Sequence, residues 1–440
     1  VQLLESGPAA GALAAAHFGG GCRNLLAFDM GGTTAKLSLV DDGEPLVAYG
    51  FEAARQKRFT EGSGLPIRIS TIELIEIGAG GGSIAHSDAI GLLKVGPQSA
   101  GSEPGPACYD RGGVEPTVTD ANLMLGYLNP DYFAGGTLKI DLEKAQRAIV
   151  ALAKKLGITP TQAAWGIHDI VNENMAGAAR VHVAERGRDP RRYSLLTTGG
   201  GGPLHGYYVA RKLGLKQLIC PPSAGVASAL GLLAAPAKID RVATVNMRLE
   251  DGNWARLEAA FKVLETAARE VIAQTGFEFS DLRVQRFADG RFAGQGFNLV
   301  AALPEGPYDG ADGAATQAAL QGAFEKSYRE KFAVTPPQVA IEFINIRVSA
   351  SAAVADAAAV AQSSLAGVGT RGGRRRGQRP VYFQETGGYV TTTVYDSSTL
   401  AAGTRFAGPA VVEEAGSTLV LPPGASATVA ANGNIVVTLG

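Results

Sequence analysis

Asp29-Met30-Gly31-Gly32-Thr33-Thr34 puts a carboxylate, two glycines and two hydroxyls into six residues. Adjacent glycines let backbone N–H groups approach a phosphate closely, and the threonine hydroxyls can add hydrogen bonds. A carboxylate at a strand end can hold Mg²⁺, directly or through water, or orient a nucleophile. The plainer alternative is a glycine hairpin with a capping aspartate. A second loop, Gly199-Gly200-Gly201-Gly202-Pro203, runs into Leu204 and His205. Four glycines permit flat packing of backbone against a base or ribose, and the helix that follows offers free N–H groups to an anion. Alone, this loop is equally a tight strand-to-helix connection. Each loop sits at the mouth of an α/β unit, and the two together point to a nucleotide.

A third stretch runs from Glu76 through Gly78, Gly80, Gly81 and Gly82 to His86, then through the glycine- and proline-rich residues 96–113 to Asp120 and Asn122. So much Gly and Pro with so little charge predicts an ordered loop system rather than a helix or a sheet. Its candidate polar groups are Glu76, His86, Glu103, Cys108 and Asp120. Their spacing matches no metal motif, which favours structural roles, and Cys108 reads as a buried small hydrophobe as readily as a nucleophile. His168 and His182 share one long helix, where helix contacts explain them as well as chemistry does. His205, just past the glycine run, is placed where it could face a cleft. GxSxG is absent, and no serine sits on a strand-to-helix elbow with partners for a Ser-His-Asp triad.

The elements that must position these groups follow from periodicity and turn chemistry. Residues 24–30, 34–40 and 44–51 read as strands, with turns at Gly31-Gly32 and Asp41-Asp42-Gly43. A helix over 142–156 puts Leu142, Ala145, Ala148, Ile149 and Leu152 on one face. Thr159, Pro160 and Gln162 have capping-box spacing for a helix running to about 186. Strand 193–198, the glycine run, helix 204–213 and strand 217–220 then form an α/β unit. Two amphipathic helices, 253–275 and 313–332, accompany strands at 282–287, 296–302 and 341–349. The expected organisation is a core over 1–240, an α+β domain over 241–349, a linker over 350–379 and a small β-rich C-terminal module over 380–440. The linker carries Arg371, Arg374, Arg375, Arg376 and Arg379 with no aromatic between them, a pattern of solvated chain rather than of nucleic-acid binding.

Composition limits the partners. Forty basic against 41 acidic side chains leave a net charge of −1, so no whole-chain field draws the protein to nucleic acid or an anionic membrane. The hydrophobic fraction of 46% suffices for real cores and excludes disorder for most of the chain. Three widely spaced cysteines, Cys22, Cys108 and Cys220, fit neither a disulfide framework nor a zinc finger and suit a reducing cytoplasm. No apolar run reaches the roughly 18 residues of a membrane span, and the N-terminus lacks a signal-peptide pattern.

The motifs ESGPAAG (5–11), AFDMGGTTAK (27–36), EIGAGGGSIA (76–85), SAGSEPGPACYDRGG (99–113), EPTVTDANL (115–123), GGGGPLHG (199–206), PPSAGVASALGLL (221–233) and GPAVVEE (408–414) occur in the order found in one family. In them the chain resembles the A-type subunit of the hydantoinase/oxoprolinase family, which includes N-methylhydantoinase, 5-oxoprolinase, caprolactamase and the acetone and acetophenone carboxylases. The resemblance implies an actin-like ATPase fold of the ribonuclease H-like class, ATP and Mg²⁺ or another divalent metal as cofactors, and a B-type partner subunit. It implies that Asp29, Gly31, Gly32, Thr33 and Thr34 form the second phosphate loop, with Asp29 at the Mg²⁺ position, and that Gly199, Gly200, Gly201, Gly202 and Pro203 contact adenosine. The family's first phosphate loop has no counterpart here, and the chain begins with Val1. The expectation is therefore an incomplete fold, whose missing loop is supplied by another chain or lost with an N-terminal domain. The implied activity is ATP-dependent opening of a cyclic amide, in which phosphorylation activates a carbonyl oxygen. ATP-dependent ketone carboxylation is the runner-up, and a non-catalytic scaffold subunit is the reading of another class.

Overall fold

A computed structural model describes residues 6–53, 63–67, 69–274, 279–336, 339–354 and 375–440. Two compact units emerge. One joins residues 1–234 with residues 360–440, and the other spans residues 235–359.

The first unit is built on a nine-stranded mixed sheet. At its centre β1 (Leu25–Met30), β3 (Ser194–Thr198) and β4 (Gln217–Cys220) run parallel in the order β4-β3-β1, and β2 (Ala35–Asp41) returns antiparallel along β1. The run Leu25-Leu26-Ala27-Phe28 is continuously apolar because both faces of β1 are covered. Leu25 and Ala27 pack with Ala12, Ala15 and Phe18 of α1 (Ser6–Phe18). Leu26, Phe28 and Met30 face a larger core with α2 (Val118–Met124), α3 (Pro160–Ala184) and α4 (Gly202–Lys212). Period-two alternation thus assigns odd residues of β1 to one layer and even residues to the other. Asp29 falls on the α1 side, where Gly11 leaves room for it: a Cβ at Gly11 would sit 3.5 Å from Asp29 Oδ2.

The start of α3 matches its sequence signal. Gln162 N donates to Thr159 Oγ1 (3.2 Å) and Thr159 N donates to Gln162 Oε1 (2.9 Å). Three expectations need correction. Residues 76–122 are not only loops: Ser83–Ser87 and Leu93–Ser99 pair as a hairpin, and α2 follows. The strand expected over 44–51 is broken into the short pairings Glu44–Pro45 and Val47–Ala48. Residues 380–440 do not stand apart. Ile435–Thr438 pairs antiparallel with β4, and Ser426–Val429 and Arg405–Ala407 extend the same sheet beyond it. The remaining C-terminal strands form a four-stranded sheet that includes Arg375–Phe383 and Gly388–Asp396. Most of the expected linker lies outside the described residues. Arg376 and Arg379 within it are strand residues paired with Asp396 and Glu413, so their charges are spent on structure.

The second unit is a four-stranded antiparallel sheet in the order Ala237–Arg248, Ile341–Val354, Phe279–Phe292, Leu299–Ala302, covered by Trp254–Gln274 and Gly313–Phe332. Phe261, Phe324, Phe343 and Ile346 fill its core. No described helix is long and apolar enough to cross a membrane.

Candidate functional site

The three parallel strands end on one edge of the sheet, and each passes there into a loop containing glycine: residues 31–34 after β1, 199–202 after β3 and 221–226 after β4. The carboxyl ends of parallel strands are where open α/β sheets bind ligands. Asp29 lies next to Thr198 of β3 and opposite Lys36 of β2. Burial pushes its carboxyl pKa up, while the Lys36 charge and a hydrogen bond from the Thr198 side chain pull it back. Gly199 must be glycine: its φ is +80°, and a Cβ there would fall 2.4 Å from both Asp29 Oδ1 and Met30 O. Gly201 N donates to Met30 O (2.9 Å), which locks the second loop against the first.

The 31–34 loop closes on itself through Gly31 N to Thr34 O (3.0 Å). Its next fixings come from residues 80–82. Gly81 N donates to Gly31 O (3.1 Å) and Gly82 N donates to Gly32 O (2.6 Å). A trans peptide holds N–H opposite C=O, so tying back these two carbonyls turns the Gly32 and Thr33 N–H groups the other way. Gly31, Gly32 and Thr33 are exposed, and this edge has the polarity an anion requires.

Residues 80–82 are held in turn. Gly80 N donates to Ser83 Oγ (2.9 Å), Thr119 N and Oγ1 both donate to Gly81 O (2.8 and 2.9 Å), and Ala100 N donates to Gly82 O (2.9 Å). Thr119 sits in the first turn of α2, whose start is a capping box between Thr117 and Asp120. Asp120 is fully buried and accepts from Thr117 N (2.9 Å), Thr117 Oγ1 (2.7 Å), Ala107 N (3.2 Å) and Cys108 N (2.8 Å). The third glycine stretch is therefore a backbone support beneath the first loop. The Thr117-x-x-Asp120 spacing was a legible helix start, but nothing in the sequence paired Gly81 and Gly82 with Gly31 and Gly32.

The other candidates separate clearly. Gly200 is exposed and Gly199 and Gly201 are half-buried, while Gly202 and Pro203 are buried as the start of α4. Thr34 is half-buried beside the loop. Glu76 reaches this neighbourhood through Lys36, with 3.8 Å between Oε1 and Nζ. His86 lies on the hairpin opposite Lys94, and Glu103 is exposed. Burial, reinforced by Asp120, pushes the Cys108 thiol pKa far up, so it stays protonated and is no nucleophile. His205 does not face the crevice. It is buried, its Nδ1 is 2.7 Å from Asn172 Oδ1, and Asn122 Nδ2 is 3.1 Å from its Nε2. His168 stacks on it with ring centroids 4.6 Å apart and bonds Asn122 Oδ1 (2.9 Å). Burial holds His205 down to about 3 and His182 down to about 4, and lowers His168 well below its ordinary value. These are neutral core histidines. Among the described residues no group of three or more His, Cys, Asp or Glu side chains could hold a metal ion. Asp29, packed against Gly199 and Gly11 at the end of β1, is an acidic group at the glycine loops that could meet a cation carried in by a ligand.

Residues 1–241 match the family model described as hydantoinase/oxoprolinase, and residues 248–433 match the hydantoinase/oxoprolinase C-terminal domain. The chain is 32% identical to the caprolactamase subunit alpha of Pseudomonas jessenii over 436 residues, covering 96% of this chain and 60% of that protein. It is also 32% identical to the acetophenone carboxylase gamma subunit of Aromatoleum aromaticum over 439 residues, covering 96% of this chain and 57% of that one. The crystal structure of the ATP-dependent caprolactamase from Pseudomonas jessenii superposes with a TM-score of 0.78 at 30% identity, covering 99% of this chain and 61% of that chain. The chain thus spans about three-fifths of the length of these relatives.

Proposed function

The chain belongs to the hydantoinase/oxoprolinase family, and from that premise we propose that it is the nucleotide-handling part of an ATP-dependent enzyme that opens cyclic amides. The observation that carries this reading is the 31–34 loop, whose carbonyls are tied back to Gly81 and Gly82 so that its N–H edge faces outward beside the half-buried Asp29. That geometry fits a nucleotide phosphate, and the glycine edge at Gly199 to Gly201 fits the close approach of a nucleoside. Bound ATP, with Mg²⁺, would supply the phosphoryl group that activates the amide oxygen. The chain's own residues bind and orient. Amides of Gly32 and Thr33 neutralise phosphate charge, the Thr33 and Thr34 hydroxyls hold its register, and Asp29 meets the cation. Burial raises the Asp29 carboxyl pKa, and Lys36 and Thr198 oppose that rise.

This assignment carries the actin-like ATPase fold with it, in which a second wall and the first phosphate loop come from another domain or chain and a B-type subunit completes the enzyme. Three free thiols favour a reducing cytoplasm. Ketone carboxylation is the second reading, supported by the equally similar acetophenone carboxylase gamma subunit. In the assembled complex, calorimetric titration of ATP is expected to show binding that Asp29→Ala and Gly32→Val both weaken; three equal isotherms would refute the site. Incubation with ATP and hydantoin, 5-oxoproline, a lactam, or a ketone plus bicarbonate separates the two readings by which substrate drives ADP or AMP release.

A further inference from the structure

The loop after β4 is fixed by a carboxylate from the far end of the chain. Ser223 takes a left-handed backbone (φ 55°); its N–H donates to Glu414 Oε1 (2.6 Å), and the Ala224 N–H donates to Oε2 (3.0 Å). Ser417 Oγ also donates to Oε2 (2.9 Å), and Glu414 N donates to Ser417 O (3.0 Å), so the same residue closes its own 414–417 turn. Ala224 O accepts from Gly199 N (2.8 Å), and through it Glu414 reaches the glycine loop. Burial raises the Glu414 carboxyl pKa, against hydrogen bonds from Ser223, Ser417 and Ala224 that lower it.

The 199–202 loop, the 221–226 loop and the 414–417 turn meet backbone to backbone at Gly416. A Cβ at Gly225 would lie 2.4 Å from Gly416 O, and one at Gly200 would lie 3.3 Å from it. The outer skin of this junction is Gly200, Val226, Ala415 and Gly416, all exposed, with Val226 at 59%. It is uncharged and made of peptide and uncharged side chains, and it adjoins the anion-facing loop through Gly199 and Gly201. An uncharged ring system flanked by phosphates is the ligand that matches an uncharged, peptide-rich strip bordered by an anion site.

We propose that Glu414 is a positioning residue for the 199–202 loop, and that Ala415 and Gly416 form a wall of the subsite for the nucleoside half of a nucleotide. The proposal rests on the nucleotide reading above. In the assembled protein, the affinities of ATP and of inorganic tripolyphosphate are measured side by side. Gly416→Val and Glu414→Ala are expected to weaken ATP about tenfold or more while leaving tripolyphosphate within about twofold of wild type. Glu414→Gln, which keeps one acceptor oxygen, falls between wild type and alanine. Ser417→Ala removes a single hydrogen bond to Oε2, and gives a smaller loss of the same kind in a protein whose fold it does not threaten. Unchanged ATP affinity in these variants, or a parallel loss of both probes, overturns the role of Glu414 and Gly416 while the nucleotide site stands. Wild-type protein that binds neither probe overturns both.

Discussion

Gly80→Ala is the most direct test of the support beneath the 31–34 loop. The added methyl would lie 2.7 Å from Gly32 C, Gly32 O and Thr33 C, about 0.7 Å inside the 3.4 Å at which ordinary contact begins. All three are backbone atoms held by hydrogen bonds, so no side chain can swing aside. The strain is that of an overpacked core, about 1–3 kcal/mol, and it relaxes by moving the 31–34 loop away from residues 80–82. Displacement of that order is enough to cost about 10²-fold where ligand geometry is critical. The expected result is an ATP affinity reduced by about one to two orders of magnitude, with a thermal midpoint lower by several degrees. Circular dichroism melting and ATP titration on the same preparation check both. A Gly80→Ala protein with wild-type nucleotide affinity would refute the claim that residues 80–82 set the first loop.

Other substitutions and conditions probe the remaining features. Gly177→Ala, inside α3 where a Cβ meets nothing within 4 Å, should stabilise the protein by about 0.5–1 kcal/mol in urea unfolding. Acid should destabilise it through the buried histidines: His205 and His182 are neutral in the fold, with pKa values near 3 and 4, and titrate near 6.5 when unfolded. The unfolded state therefore binds more protons as pH falls below 6.5, and each of these histidines removes about 2 kcal/mol between pH 6.5 and 5. His205→Gln should flatten that slope by its own share, and a pH-independent urea midpoint across this window would contradict the burial. In the second unit Glu258 accepts from Arg286 Nη2 (3.0 Å) and Tyr308 N (3.0 Å), with both side chains of the ion pair buried. Glu258→Ala leaves the guanidinium with Glu265 Oε1, 2.7 Å from its Nε, as the remaining carboxylate partner and should cost about 1–3 kcal/mol in denaturant unfolding, whereas a loss under about 0.5 kcal/mol would show the Glu258 contacts to be dispensable.

Much of the site was legible in residue order because its chemistry is local. Asp29, Gly31 and Gly32 announce a glycine turn at a strand end within four positions, and Thr159 with Gln162 fixes the start of α3 because a capping box needs only three residues of reach. Residues 24–30 read as a strand, and Leu25–Met30 is one. What sequence could not fix was which backbone meets which. Periodicity says that a face is buried, not against what, so His205 beside the glycines looked like a cleft residue when two asparagines from other helices enclose it.

The same limit hid the C-terminal strands. Alternation predicted them, but a strand's own residues carry no record of the strand it will pair with, and Ile435–Thr438 joins β4 on one side and Ser426–Val429 on the other only once the sheet exists. The sequence by itself determined the glycine-rich loops, the helix starts and the near-neutral charge, all properties of neighbouring residues or of composition. Tertiary structure alone decided that Gly81 and Gly82 turn the Gly32 and Thr33 amides outward, and that Glu414 reaches the loop after β4. Hydrogen bonds between backbones distant in sequence have no side-chain signature, and they form only when the sheet brings those loops to one edge.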